Sequence, residues 1–320
     1  MSNNPPLVSV CCITYNHEQF IGKAIESIIN QKTSFYFELI IGEDFSSDNT
    51  GMICQKYKEL YSDKIKLIRS KKNIGMSDNF TQVLSSCTGK YIAICEGDDY
   101  WSDLNKLQKQ VEFLEKNEEY GLVHTDFDIL YENTKIVHNY YKSNEIIRIA
   151  KDDAFESLMT SWGIKTLTVC IRKEILFEAL DYLLKNEMKI FDIPLFIMVA
   201  KLTRFGFIDE STAVYRVLSH SASHHLDKNI YYDHLLRNYK IKQFFIENYD
   251  VSEKTREIVK KQFYLGLFIR AVKNNDFEMI RKTYNDVCEN MMNSYKYRIV
   301  YILTKFFPTR YLLRLFLCRN

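Results

Sequence analysis

Four short apolar runs, each followed by a polar break, govern what the first hundred residues of this chain can form. Residues 7–13 read LVSVCCI, a continuous and partly β-branched run of the kind found in strands buried on both faces of a parallel sheet. Residues 38–41, 65–68 and 91–95 repeat that pattern on a shorter scale. Between the first two, Phe20, Ile21, Ala24, Ile25, Ile28 and Ile29 fall on one helical face, with Asn16 as the expected cap ahead of them. Ser46, Ser47, Asp48, Asn49 and Thr50 suit the start of a second helix running to about Tyr61. Phe80, Val83, Leu84 and Cys87 mark a third, which Gly89 ends. Strand and helix alternating with short loops predict an α/β fold with a mostly parallel central sheet and right-handed crossovers. Breakers are scarce, 10 Gly and 4 Pro in 320 residues, so regular elements rather than linkers are expected.

Further along, residues 104–117 read as a helix and 122–125 as a strand ending at Asp126. Residues 136–140 suggest an antiparallel strand, 151–159 a helix, 167–171 a strand and 174–184 a helix. Pro194 fits the first turn of an apolar helix to about Leu202, which puts Asp192 at its cap. Residues 207–208 and 213–217 read as two late strands. Beyond about Leu226 only helices are expected, over 231–247, 253–272 and 277–292. The chain therefore divides into an α/β domain, 1–225, and a helical region, 226–320.

The chemistry concentrates where the apolar runs stop. Residues 91–101, YIAICEGDDYW, drive a buried strand into Glu96, Asp98 and Asp99. Carboxylates that close repel one another unless something positive lies between them. A divalent cation, Mg²⁺ or Mn²⁺, with substrate phosphates in its remaining positions, resolves that conflict; a solvated acidic turn is the bland alternative. Polar residues gather at the ends of three strands: Tyr15 and Asn16, Glu43 and Asp44, then the acidic group. Ligands of open α/β sheets bind beyond those carboxyl ends. No GxGxxG or GxxxxGK[ST] loop is present, so a metal would have to do what a glycine loop does elsewhere.

Charge excludes little beyond a general affinity for nucleic acid, since the net charge is +2. The eight cysteines show no CxxC spacing and sit mostly in apolar runs, which suits a reducing cytoplasm. The opening MSNNPP lacks the basic and apolar regions of a signal peptide, and no run of about 18 apolar residues occurs. Residues 297–320 carry Arg298, Lys305, Arg310, Arg314 and Arg319 among apolar and aromatic residues. Such a segment either lies at a membrane interface or packs on its own domain. His220, His224 and His225 lack a cysteine or carboxylate at zinc-ligand spacing and read as solvated loop residues.

The ordered motifs VSVCCITYN, ELIIGEDFSSDNT, NIGMSDN, GKYIAICEGDDYW, FDIPLF and AVYRV resemble the family 2 glycosyltransferases over roughly residues 6–223. The resemblance implies a GT-A type nucleotide-diphospho-sugar transferase fold and an inverting transfer from a donor such as a UDP-sugar to a glycan or lipid-linked acceptor. It implies that Ile13, Tyr15, Asn16, Asp44 and Asp98 hold the donor nucleotide, with Tyr15 packed on the base and Asp44 accepting from the base's imide N–H. Asp98 and Asp99 would be the metal-diphosphate pair, Asp99 the direct ligand to Mn²⁺ or Mg²⁺, and Asp192 the base that deprotonates the acceptor. Glu96 stands at a position that is often Asp, and Arg216 or His220 would add positive charge near the diphosphate. Each residue has a plainer alternative: Tyr15 a core aromatic, Asp44 a cap on the Ser46 and Ser47 backbone, Asp192 a helix cap. A protein of the same fold that binds sugar nucleotides without turnover is the alternative function.

Overall fold

Strand β1 (Val8–Thr14) is buried from end to end, as its unbroken apolar run requires. It lies between β2 (Phe37–Glu43) and β4 (Tyr91–Ile94) and runs parallel to both, Val8 standing opposite Phe37 and Tyr91. Strand β3 (Ile65–Arg69) adds to the far side of β2, also parallel. Three helices make the connections: α1 (Ile21–Ile29), α2 (Thr50–Leu60) and α3 (Met76–Ser85). Helix α1 buries Ile21, Ala24, Ile25, Ile28 and Ile29, and each large aliphatic so removed from water contributes about 2 kcal/mol before entropy is counted. These coordinates, a computed structural model, describe residues 5–131, 135–140, 154–161, 164–218, 228–274 and 276–290.

The chain then continues as β5 (Tyr100–Trp101), α4 (Lys106–Lys116), β6 (Tyr120–Tyr131), β7 (Lys135–Val137) and α5 (Ala154–Thr160). A 3₁₀ turn (Thr166–Thr168) leads into β8 (Cys170–Arg172), α6 (Lys173–Lys185), α7 (Asp192–Leu202) and β9 (Arg204–Val217). The strand order is β3-β2-β1-β4-β8-β6-β9-β5, with β7 beside β6. The first four strands form the parallel part that the alternation predicts. Beyond β4 the sheet is mixed: β8 is antiparallel to both β4 and β6, whereas β9 is parallel to β6.

Several expectations need correction. The two late strands are one, β9, because its polar middle (Asp209, Glu210, Ser211) is absorbed where the pairing with β6 shifts register around Asp126. Strand β6 does not stop at Asp126; it continues to Tyr131 with Asp126 buried inside it. Residues 166–168 curl into a 3₁₀ turn, so the strand expected from 167 begins only at Cys170. Asn16 does not cap α1: its φ is 54°, Phe20 stands at the cap position, and no side chain there accepts a bond. The expected helix start at 151–153, His220, His224, His225 and the basic segment 297–320 lie outside the described residues.

The 3₁₀ turn is held from beneath by a buried polar group. Lys106, fully buried on α4, donates through Nζ to Gln110 Oε1 (2.6 Å) and to the Thr168 carbonyl (3.1 Å). Gln110 Nε2 donates to the same carbonyl at 2.8 Å, and Trp101 Nε1 donates to the Leu167 carbonyl at 3.0 Å. A short turn in the interior could not otherwise satisfy those oxygens.

The polypeptide forms two units, Met1–Leu218 and Ser219–Asn320. The second contains α8 (Lys228–Asn248), α9 (Glu253–Lys273) and α10 (Phe277–Asn290). Ser252 caps α9 by accepting from the Thr255 N–H (3.3 Å), and Tyr239 of α8 stacks on Phe263 of α9 at 4.0 Å between centroids. Among the described residues no helix is long and apolar enough to cross a membrane.

Burial pushes the Lys106 ammonium down to about 7 from its ordinary 10.5. Between those two values the unfolded chain keeps the proton that the folded chain sheds, so this group's contribution to stability rises with pH across the window. Relative to the parent, Lys106→Met should therefore be at its most favourable near pH 7. It should lose ground by up to about 1.4 kcal/mol per pH unit toward pH 10, measured as the difference in urea-unfolding free energy.

Candidate active site

The loops that leave β1 and β2 are joined by side chain to backbone bonds. The Asn16 N–H donates to Ser46 Oγ (3.0 Å), while Asn16 Oδ1 accepts from the Ser47 N–H (2.9 Å). The His17 N–H donates to Thr50 Oγ1 (2.8 Å), the Glu18 N–H to Asp48 Oδ2 (3.1 Å) and the Asn49 N–H to Glu18 Oε2 (3.0 Å). Tyr15 is 44% exposed at this edge, so it is not a core aromatic. Asp44 is buried beside it, and its two oxygens accept from the Ile74 N–H (2.8 Å) and the Gly75 N–H (2.9 Å). It straps the turn that enters α3, where Gly75 takes a φ of 87° that favours glycine. The Ser46 N–H goes instead to Glu43 Oε1 at 2.6 Å, so the local capping expected of Asp44 belongs to Glu43. Each Asp44 oxygen keeps a further lone pair for a ligand.

The acidic loop lies directly on β1. The Gly97 N–H donates to the Ile13 carbonyl (2.9 Å), which is what Ile13 does in this structure. A Cβ at Gly97 would stand 2.5 Å from Thr14 Oγ1, so this approach requires glycine. Asp99 is buried, and its Oδ1 accepts from the Arg216 N–H at 2.7 Å. The Arg216 guanidinium donates through Nη1 to the Asp98 carbonyl and lies over the rings of Tyr100 (4.6 Å) and Phe20 (5.0 Å). The Asp98 side chain is 22% exposed, with Oδ2 4.0 Å from His17 Nε2. Glu96 Oε2 accepts from Thr166 Oγ1 at 2.8 Å. Asp192 is the first residue of α7, where the helix dipole favours a carboxylate, and its Oδ1 accepts from the Ile193 N–H at 2.9 Å.

These groups share one electrostatic neighbourhood. Burial pushes Glu96 up to about 7; the Thr166 hydroxyl opposes that, and Asp98 and Asp192 add to it. Asp99 is held well above the usual carboxylate range by burial, then by Asp98 and Glu96. Burial lowers Lys165, while Asp192, Asp99 and Glu96 pull it back. Sequence reasoning had brought Glu96, Asp98, Asp99 and Asp192 into consideration and missed Lys165, Thr166 and His17. His17 adjoins the Tyr15-Asn16 break and was legible there. Lys165 carries no periodic or motif signal, since its position depends on the 3₁₀ turn behind it.

The donor set suits a hard divalent cation, since Glu96, Asp98 and Asp99 offer carboxylate oxygens and the charge of Asp98 adds to burial in raising the proton affinity of Glu96 and Asp99. Among the described residues no three His, Cys, Asp or Glu side chains are arranged to hold an ion by themselves.

The sequence profile described as glycosyl transferase family 2 matches residues 9–173, about half of the chain. The uncharacterized protein Rv1520 of Mycobacterium tuberculosis is 32% identical over 219 residues, 68% of this chain and only 60% of that relative's length. The Escherichia coli enzyme WfgD, a UDP-Glc:alpha-D-GlcNAc-diphosphoundecaprenol beta-1,3-glucosyltransferase, is 29% identical over 53% of this chain and 62% of its own. Among solved structures, S. aureus TarS 1–349 with UDP-GlcNAc superposes with a TM-score of 0.61 at 17% identity, covering 94% of this chain and 88% of that one. The mannosyltransferase PcManGT of Pyrobaculum calidifontis, with GDP-Man and Mn²⁺, gives 0.59 at 14% identity over 99% and 89%. At those identities the two structures establish the shared fold.

Asp44 provides a test of the strap between β2 and α3. Asp44→Asn turns an amide toward one of the two N–H donors and should cost about 1–3 kcal/mol in urea unfolding.

Proposed function

Because the chain belongs to glycosyl transferase family 2, we propose that it is a metal-dependent, inverting glycosyltransferase that moves a sugar from a nucleoside diphosphate donor, UDP-linked, onto a glycan or lipid-linked acceptor in surface polysaccharide synthesis. The observation that carries this reading is the meeting of two kinds of carboxylate at the carboxyl edge of the sheet. Asp98 from the loop after β4 and Asp192 from the start of α7 both act through their charge on the Glu96 carboxyl. The names of the relatives support the reading, since WfgD uses UDP-Glc and a diphosphoundecaprenol-linked acceptor. TarS binds UDP-GlcNAc and PcManGT binds GDP-Man with Mn²⁺.

In this reading Tyr15 packs on the base, Asp44 accepts from its imide N–H through a remaining lone pair, and Ile13 and Asn16 shape the bed beneath. Asp98 and Asp99 hold Mn²⁺ or Mg²⁺. When bound, the cation supplies neutralisation for charge developing on the leaving diphosphate. Asp192 takes the proton of the acceptor hydroxyl. The hydroxyl oxygen bonds to the anomeric carbon as that carbon's bond to the diphosphate oxygen breaks, a single displacement that inverts configuration. Proton acceptance needs a carboxylate set apart from the cation, and α7 delivers one on its own element. Arg216 fixes the Asp98 carbonyl and so the loop that carries both metal acids. The basic, aromatic segment 297–320 suits contact with the cytoplasmic membrane face that presents a lipid-linked acceptor.

Asp99→Ala should abolish both transfer and Mn²⁺-dependent stabilisation by UDP in a thermal-shift titration. Asp192→Asn should keep donor binding and lose roughly 10²- to 10⁴-fold in turnover, read as UDP released. Transfer that survives thorough chelation would overturn the metal requirement. An Asp192→Asn protein indistinguishable from the parent would favour the binding-only alternative.

A further inference from the structure

Four non-glycine residues among those described hold a positive φ: Asn16 (54°), Phe45 (59°), Asn139 (48°) and Glu187 (56°). Asparagine visits that region readily. Glu187 follows α6, where its N–H and that of Met188 turn back to the Leu184 and Leu183 carbonyls in an ordinary helix ending. Neither explanation covers Phe45, a bulky residue for which the left-handed region is strained. Burial does not compensate the strain either, because Phe45 is 56% exposed.

The surrounding bonds impose the conformation. The Asp44 N–H donates to the Thr14 carbonyl (3.1 Å) on one side, and the Ser46 N–H to Glu43 Oε1 (2.6 Å) on the other. Ser46 Oγ in turn receives the Asn16 N–H at 3.0 Å. Thr14 and Glu43 are register partners in parallel strands, so Tyr15, which follows β1, and Phe45, which follows β2 and buried Asp44, leave the sheet at the same edge. An aromatic ring kept in water, at a backbone cost, at the sheet edge where Tyr15 is also exposed is poorly explained by packing.

We propose that Phe45 supplies a second aromatic surface for the nucleoside base of the donor, acting with Tyr15; this rests on the sugar-nucleotide reading above. Stacking on a ring is indifferent to base identity because every base has a π-face. Phe45 therefore sets donor affinity, while discrimination between bases is left to hydrogen bonding at Asp44. The chemistry recognised is a planar heterocycle attached to a diphosphate.

The test uses the full chain with Mn²⁺, titrated calorimetrically with UDP and separately with inorganic diphosphate. Phe45→Gly should weaken UDP roughly tenfold and leave inorganic diphosphate unchanged, with a melting temperature no lower than the parent's because the strain is relieved. Phe45→Asn, which tolerates the backbone without offering a ring, should repeat that loss, and Phe45→Trp should restore UDP binding to within about threefold of the parent. UDP affinity retained in both the Gly and Asn variants would overturn the proposal. Equal loss of UDP and inorganic diphosphate would also overturn it, since a collapsed loop rather than a missing ring would then be the cause. A parent that binds neither UDP nor GDP would instead overturn the donor reading itself.

Discussion

The bond from the Arg216 N–H to Asp99 Oδ1 sets the terms for the rest of the site. A buried carboxylate beside two others is electrostatically costly, and the chain meets part of that cost with a backbone donor from the far end of the last strand. The same residue's guanidinium reaches the Asp98 carbonyl and rests against Phe20 and Tyr100. One residue of β9 therefore fixes the loop after β4, packs on the entry to α1 and backs β5. Register between β9 and β6 must be right for any of this, and the bulge around Asp126 is where the register is adjusted.

Rigidity elsewhere comes from side chains bonding to backbone across loops. The β1 and β2 loops are tied residue by residue, Asp44 straps the turn before α3, and Lys106 with Gln110 and Trp101 holds the 3₁₀ turn that brings Thr166 to Glu96. A buried ammonium is an expensive choice for such a support. With Gln110 and Trp101 it satisfies the carbonyls of the turn, which apolar side chains cannot do.

The parallel half of the fold was legible because its signal is local. Strands β1 to β4 and helix α1 follow from runs and spacing that buried parallel strands and an amphipathic helix impose. The acidic group could be placed at a strand's carboxyl end for the same reason. What escaped depended on partners distant in sequence. Asp209, Glu210 and Ser211 look like a break in β9 until the register shift opposite Thr125 and Asp126 of β6 is known. Asn16 has the composition of a helix cap, yet Ser46 and Ser47 claim it. Asp44 could be singled out as important from its position, but not that its oxygens already serve Ile74 and Gly75. Lys165 could not be found at all, since only the turn built on Lys106 sends it toward the acids.

The tied loops of β1 and β2 have a thermodynamic consequence. Where a mobile loop closes over a ligand, the entropy of ordering is lost at the moment of association. Here the backbone between Asn16 and Thr50 is already committed by bonds that need no ligand. Association at this edge should then resemble docking to a preformed surface, with a heat-capacity change set by the aromatic area covered rather than by chain folding.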